Sequence, residues 1–135
     1  MGYSIDLAID TSALAAILLQ EPEAGQFLRI LSSAGNLAIS AANKAELLIV
    51  VRSRLGTDGI AKALELLAMY GIAVIPVDDA DAELAANAFE RFGKGRHPAG
   101  LNFGDCFSYA LANRLNVPLL FKGNDFSKTD LTGVP

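Results

Sequence analysis

Cysteine and histidine are almost absent from this chain. A single cysteine, Cys106, excludes an internal disulfide, and a single histidine, His97, leaves no cluster from which a zinc site could be built. Any metal held here must therefore sit among oxygen ligands. Long apolar runs are missing too: stretches such as Leu47 to Val51 fall far short of the roughly 18 residues that span a bilayer, so no membrane segment is expected. The amino terminus has no basic segment, and Asp6 and Asp10 interrupt what would be the apolar part of a signal peptide, which predicts a cytoplasmic location. Basic excess is also lacking. The formal net charge of -4 argues against nucleic-acid binding through overall charge, yet acids gathered round one cation would leave the remaining surface nearer balance. No repeat, low-complexity tract or Ser/Gly linker interrupts the 135 residues, a length that suits a single domain over residues 1–135.

What the sequence does contain is strand-like runs alternating with helical ones. Ile5 to Asp10 alternates as a strand, and Thr11 and Ser12 begin a helix running to Gln20. Glu21-Pro22-Glu23 restarts a helix with Ala24, Phe27, Leu28 and Leu31 at helical spacing, ended by Gly35. Leu37 to Ser40 reads as a short strand. Ser40 caps a third helix whose apolar positions are Ala42, Ala45, Ile49 and Val50, and Thr57 or Asp58 caps a fourth carrying Ile60, Leu64 and Leu67. Ile72 to Val77 reads as a buried strand, Asp78 to Phe92 as a fifth helix, and Asn102 as the cap of a sixth, Phe103 to Leu115. Val117 to Phe121 is short enough to be a strand, and Val134 adds an edge strand. This order predicts an α/β fold, a mainly parallel sheet of four or five strands covered on both faces by helices, with a helical hairpin between the second and third strands.

Asp10 is the most informative residue. A carboxylate at the end of a buried first strand sits in the crevice where open parallel sheets bind ligands, although an Asp or Ser there also caps a helix, a role worth about 1 kcal/mol. Glu46 has only Ala42, Asn43, Ile49 and Val50 three and four positions away, so no cation on its own helix offsets it. Asp105 lies in the first turn of the sixth helix and Asp125 follows the last clear strand; alone, each reads as helix-dipole or turn chemistry. Together, Asp10, Asp105 and Asp125 fall on one rim of the sheet, and Glu46 approaches it. Two carboxylates about 5 Å apart repel by roughly 3 kcal/mol at an effective dielectric near 20, so such a cluster calls for a hard divalent ion, Mg2+ or Mn2+. An ion held that way suits phosphodiester hydrolysis by an activated water.

Four segments carry a resemblance: Ala8 to Leu14, Ser40 to Glu46, Leu101 to Cys106, and Asn124-Asp125-Phe126. In this order, spanning nearly the whole chain, they resemble the PIN-domain ribonucleases and, within them, the VapC toxins of bacterial type II toxin-antitoxin systems. The resemblance implies a PIN-like three-layer sandwich and a metal-dependent endoribonuclease. Its acidic pocket would be Asp10, Glu46, Asp105 and Asp125, with Asp10, Asp105 and Glu46 as metal ligands. Thr11, Ser12, Lys44 and Lys122 would position water or substrate. Where many relatives carry Thr-x-Asp or Thr-x-Asn after the last strand, this chain has Phe121-Lys122-Gly123, which assigns Asp125 a role through water or as a base. The resemblance further implies an RNA substrate, a homodimer and a cognate VapB-type antitoxin lying across a groove beside the early helices, where Leu14, Ile17, Leu18, Phe27 and Leu31 compete between groove and core.

Arg91, Lys94, Arg96 and His97 form a basic stretch that could meet phosphate or simply be a solvated loop. Cys106 reads as a packing residue. Two other readings compete. A phosphoacceptor signalling domain also places Asp and Mg2+ at strand ends, but it calls for an adjacent acidic pair after the first strand, and Asp10 has no acidic neighbour. A PIN-like binding module without activity is the second.

Overall fold

The computed structural model describes residues 4–134, so positions 1–3 and 135 of the expected domain lie outside the described residues. The elements, in chain order, are β1 (Leu7–Ile9), α1 (Thr11–Leu18), α2 (Ala24–Ser33), β2 (Leu37–Ser40), α3 (Ala41–Leu55), α4 (Thr57–Met69), β3 (Ala73–Ile75), α5 (Asp79–Phe92), α6 (Phe103–Leu115), β4 (Leu119–Leu120) and β5 (Gly133–Val134). A single 3-10 turn, Phe126–Lys128, lies between the last two strands. Every strand pairing is parallel, and the strand order is β3-β2-β1-β4-β5.

Period-two alternation along the central strands builds the two cores. Leu7, Ile9, Leu37, Ile39 and Leu120 face α1 to α4, where they pack with Leu14, Phe27, Leu31, Leu47 and Val51. Their neighbours Ala8, Ala38 and Leu119 face α5 and α6, meeting Tyr109, Ala110, Phe92 and Phe121. A three-layer α/β sandwich results. Successive crossovers from β1 to β2 to β3 move one way along the sheet, and the return from β3 to β4 moves the other. With right-handed crossovers this puts the two sets of helices on opposite faces. It also leaves a topological switch point between β1 and β4, where the chain leaves the sheet in opposite directions.

Several sequence-level boundaries shift for identifiable reasons. Asp10 is not a ladder residue but the cap of α1, and α1 ends at Leu18, with Gln20 at φ 56 turning the chain toward α2. Capping of α4 falls to neither Thr57 nor Asp58. Gly56, at φ 72, makes the whole connection from α3, a left-handed conformation that a side chain would strain. The strand expected to be buried from Ile72 to Val77 contracts to β3 on the sheet edge, where Ala73 and Val74 are exposed; Ile72 is buried in one core and Ile75 packs partly buried against the other. On α3 the buried stripe is Asn43, Leu47 and Val51, not Ala42, Ala45, Ile49 and Val50, and Ile49 is 70% exposed. On α4 Leu66 and Ala63 take the core positions expected of Leu64, which is exposed.

Leu14, Phe27 and Leu31 are core residues, while Ile17 and Leu18 pack at its margin. No helix among the described residues is long and apolar enough to cross a membrane.

Two alanines, Ala8 and Ala38, are fully buried on the face that seats α6. Overfilling this face should push α6 outward, so Ala38→Leu is expected to lower stability by about 1–3 kcal/mol, read as a drop in the urea midpoint. An unchanged midpoint would mean that α6 does not depend on the small side chain.

Candidate active site

At the switch point a cleft of about 280 Å3 opens, lined by Asp10, Thr11, Ser12, Glu46, Asn102, Asp105, Lys122 and Asp125 together with Ala15, Val50 and Phe126. The four carboxylates singled out in the sequence arrive from four different places: Asp10 after β1, Glu46 from α3, Asp105 from the first turn of α6, and Asp125 from the segment after β4.

Each is held differently. Asp10 is 3% exposed. Its Oδ2 accepts from the Ser12 backbone N–H at 3.0 Å, and its Oδ1 accepts from the Ser108 hydroxyl at 2.5 Å. Burial raises the Asp10 carboxyl above its ordinary value, these hydrogen bonds oppose the rise, and the charge of Glu46 adds to it. Asp105 shares a capping box with Asn102: its backbone N–H donates to Asn102 Oδ1 at 3.0 Å, and its Oδ2 accepts from the Asn102 N–H at 3.1 Å. Burial first, and then the charges of Asp10, Asp125 and Glu46, push its carboxyl up to about 7. The Glu46 carboxylate accepts from Asn43 Nδ2 at 3.4 Å and lies against Gly104, the residue before Asp105. Asp125 is exposed at the rim, just ahead of the 3-10 turn.

Neutral ties lock the acid-bearing segments together. The Thr11 hydroxyl donates to the Asn43 carbonyl at 3.0 Å, joining α1 to α3. Ser12 Oγ accepts from the Lys122 N–H at 3.0 Å, joining α1 to the segment after β4. Asn43, fully buried, donates through Nδ2 to the Gly104 carbonyl at 3.0 Å, joining α3 to α6.

The expected positioning residues are divided. Thr11 and Ser12 line the cleft, and so does Lys122, whose Nζ pairs with Glu21 at 2.8 Å and Glu23 at 3.6 Å. Lys44 is not among the lining residues, because two helical positions carry it about 200° round α3 from Glu46. Nor does the basic stretch reach the cleft: Arg91 contacts Tyr109 and Asp130, Arg96 pairs with Glu90, and His97 packs edge-on against Phe92. Cys106 is buried as expected, its thiol pushed up to about 11 by burial and by Asp105. Asp78 caps α5 in a box with Asp81 and faces Arg114.

Sequence reasoning missed Ser108 and Asn43. Both carried a signal: Ser108 lies three residues beyond Asp105 and Asn43 three before Glu46, so each shares a helix face with an acid.

The donor set is made of hard oxygens and gathers four carboxylates in one cleft, where burial first and neighbouring charge second raise Asp10 and Asp105. Both features fit a hard divalent cation held by carboxylate oxygens and completed by water. Among the described residues no group of three His, Cys, Asp or Glu side chains already stands arranged to hold an ion.

The PIN domain family pattern matches residues 7–131. The chain is 46% identical over 129 residues to a protein named Ribonuclease VapC from Mycolicibacterium smegmatis, covering 95% of this chain and 99% of that one. The fold resembles that of Mycobacterium tuberculosis VapC20, described as a Sarcin-Ricin loop cleaving toxin, with a TM-score of 0.80 at 20% identity over 96% and 98% of the two chains. A toxin-antitoxin complex from Klebsiella pneumoniae gives a TM-score of 0.73 at 18% identity, covering 96% of this chain and 97% of that one.

Because Asp105 holds its proton to about pH 7 in the folded protein but loses it near pH 4 when unfolded, folding binds a proton between those values. Its contribution to stability therefore falls as pH rises from about 4 to 7 and is level above. Asp105→Asn keeps an acceptor for the Asn102 N–H and removes the titration. In chelator, its melting temperature is expected to match the wild type near pH 4 and to exceed it by a margin that grows up to pH 7; a margin independent of pH would refute the assignment.

Proposed function

The chain belongs to the PIN-domain family, and from that premise and its VapC relatives we infer that it is an endoribonuclease toxin of a type II toxin-antitoxin module. The observation that carries this reading is the convergence of Asp10, Glu46, Asp105 and Asp125 on one cleft at the switch point of a parallel sheet. We assign the reaction as hydrolysis of an RNA phosphodiester bond, dependent on Mg2+ or Mn2+.

Asp10 and Asp105, with Glu46, would hold the ion. When bound, it supplies a Lewis acid for a phosphate oxygen and lowers the pKa of a water. Asp125, exposed at the rim, is free to accept a proton from the attacking water, directly or through a second one. Ser12 Oγ accepts from the Lys122 N–H while its hydroxyl hydrogen-bonds to the Asp10 carboxylate, so its part is to tie Asp10 to the segment after β4. Thr11 spends its hydroxyl hydrogen on the Asn43 carbonyl, so its part is to fix the start of α1. Lys122 is the basic residue among those lining the cleft, its ammonium shared with Glu21 and Glu23.

A ribonuclease of this kind must be silenced in its own cell, and the toxin-antitoxin complex of like fold supports a VapB-type antitoxin as partner. A homodimer is part of the same reading.

Wild-type protein is expected to cut bacterial RNA in Mg2+ or Mn2+, to stop in chelator, and to arrest growth on induced expression. Asp10→Ala and Asp105→Asn should each lower the cleavage rate by about a hundredfold or more with circular dichroism unchanged. Mapped RNA ends would give the target. Phosphate uptake from a small phosphodonor without cleavage would point to signalling instead, and inertness toward every RNA and metal would leave a binding module.

A further inference from the structure

The Glu46 carboxylate occupies a slot with two walls. One is the Asn43 amide, which is fully buried and donates through Nδ2 both to Glu46 Oε1 at 3.4 Å and to the Gly104 carbonyl at 3.0 Å. Both neighbours are acceptors, so the amide can face them only with its nitrogen; reversed, its oxygen would meet two oxygens. Asn43 Oδ1 has no partner of its own. The buried amide is therefore kept at some cost, and its two donated bonds are what it gives in return.

The other wall is Gly104. A Cβ at that position would run into both oxygens and the carboxyl carbon of Glu46. Nothing else calls for glycine there. The φ of Gly104 is not left-handed, and the position lies inside the first turn of α6, where alanine is the better helix former by nearly ~1 kcal/mol in its intrinsic preference. The atoms in the way belong to the far end of a flexible side chain, so an added methyl would leave the fold intact and move the carboxylate.

We propose that Asn43 and Gly104 are positioning residues, which together seat the Glu46 carboxylate against the start of α6 and so fix its place relative to Asp105. The Thr11 bond to the Asn43 carbonyl ties Asp10's own helix into the same clamp. The consequence rests on the reading of this cleft as a divalent-ion site: the slot sets how Glu46 shares the ion with Asp105. Neither residue meets substrate.

The test uses purified full-length protein, Mn2+ as probe, binding measured by titration calorimetry, and melting in chelator. Gly104→Ala is expected to melt at or above the wild-type temperature while its Mn2+ affinity falls by about tenfold or more. In a Glu46→Ala background the same substitution should cost no further affinity, because its effect passes through Glu46. Asn43→Ala should lower Mn2+ affinity similarly and, having lost buried hydrogen bonds, also melt lower. Wild-type affinity in Gly104→Ala, or an equal loss with and without Glu46, would overturn the slot while leaving the ion site standing. Failure of the wild type to bind Mn2+ at all would overturn both.

Discussion

Negative charge that the polypeptide does not itself neutralise governs the C-terminal edge of this sheet. Asp10 is buried and Asp105 is half-buried; Glu46 raises the cost of ionising both, and Asp125 that of Asp105. The cation that lines the cleft, Lys122, is shared with Glu21 and Glu23. Charge repulsion of this kind would spread flexible side chains apart, so the carboxylates need anchors that do not cancel their charge. Neutral donors supply these anchors: the Ser108 hydroxyl and Ser12 N–H on Asp10, the Asn102 N–H on Asp105, and the Asn43 amide on Glu46. In the proposed function, that residual charge is what would draw a hard cation into the cleft.

The sheet brings these groups together by register. Alternation along β1 and β2 sends Leu and Ile to one helical layer and Ala to the other, so α6 seats closely over Ala8 and Ala38. That seating carries Asp105 and Ser108 to the end of β1. The Ser108 bond to Asp10 spans 98 positions of sequence and is a product of this packing alone. On the other face α3 leaves β2 directly, with Ser40 capping it, which brings Asn43 and Glu46 beside the same edge.

The layered α/β architecture was legible because strand and helix periods differ sharply and because glycines and caps punctuate them. Glu46 was legible as an acid with no cation on its own helix, Asp10 as a carboxylate ending a buried strand, and Asp105 and Asp125 by falling on the same rim; the structure brings all four to one cleft. Details that depend on what lies opposite were not legible. On α3 two stripes compete; the one with more aliphatic side chains, through Ile49, faces outward, and the buried stripe includes the polar Asn43 because Gly104 and Glu46 complete its bonding. Val74 resembles a core strand residue in sequence, but β3 has a neighbour on one side only. Lys44 lies close to Glu46 in sequence and far round the helix. The basic stretch read as free charge is partly consumed by Glu90 and Asp130, partners that local sequence could not assign.

Stability and chemistry draw on the same few bonds at this site. An apolar residue in place of Glu46 would relieve repulsion, and alanine at 104 would suit α6 better, so local energetics favour a different residue at both positions. What resists that drift is the linkage among them. The Thr11 hydroxyl, the Asn43 amide and the Ser12–Lys122 bond hold α1, α3, α6 and the segment after β4 to one another, and they meet around the acids. A scaffold tied at the place of greatest electrostatic strain can keep its carboxylates close; one tied elsewhere would let them part. The polar clamp and the acidic cleft are thus a single construction, and the penalty carried by the acids is borne by bonds that the fold would otherwise not need.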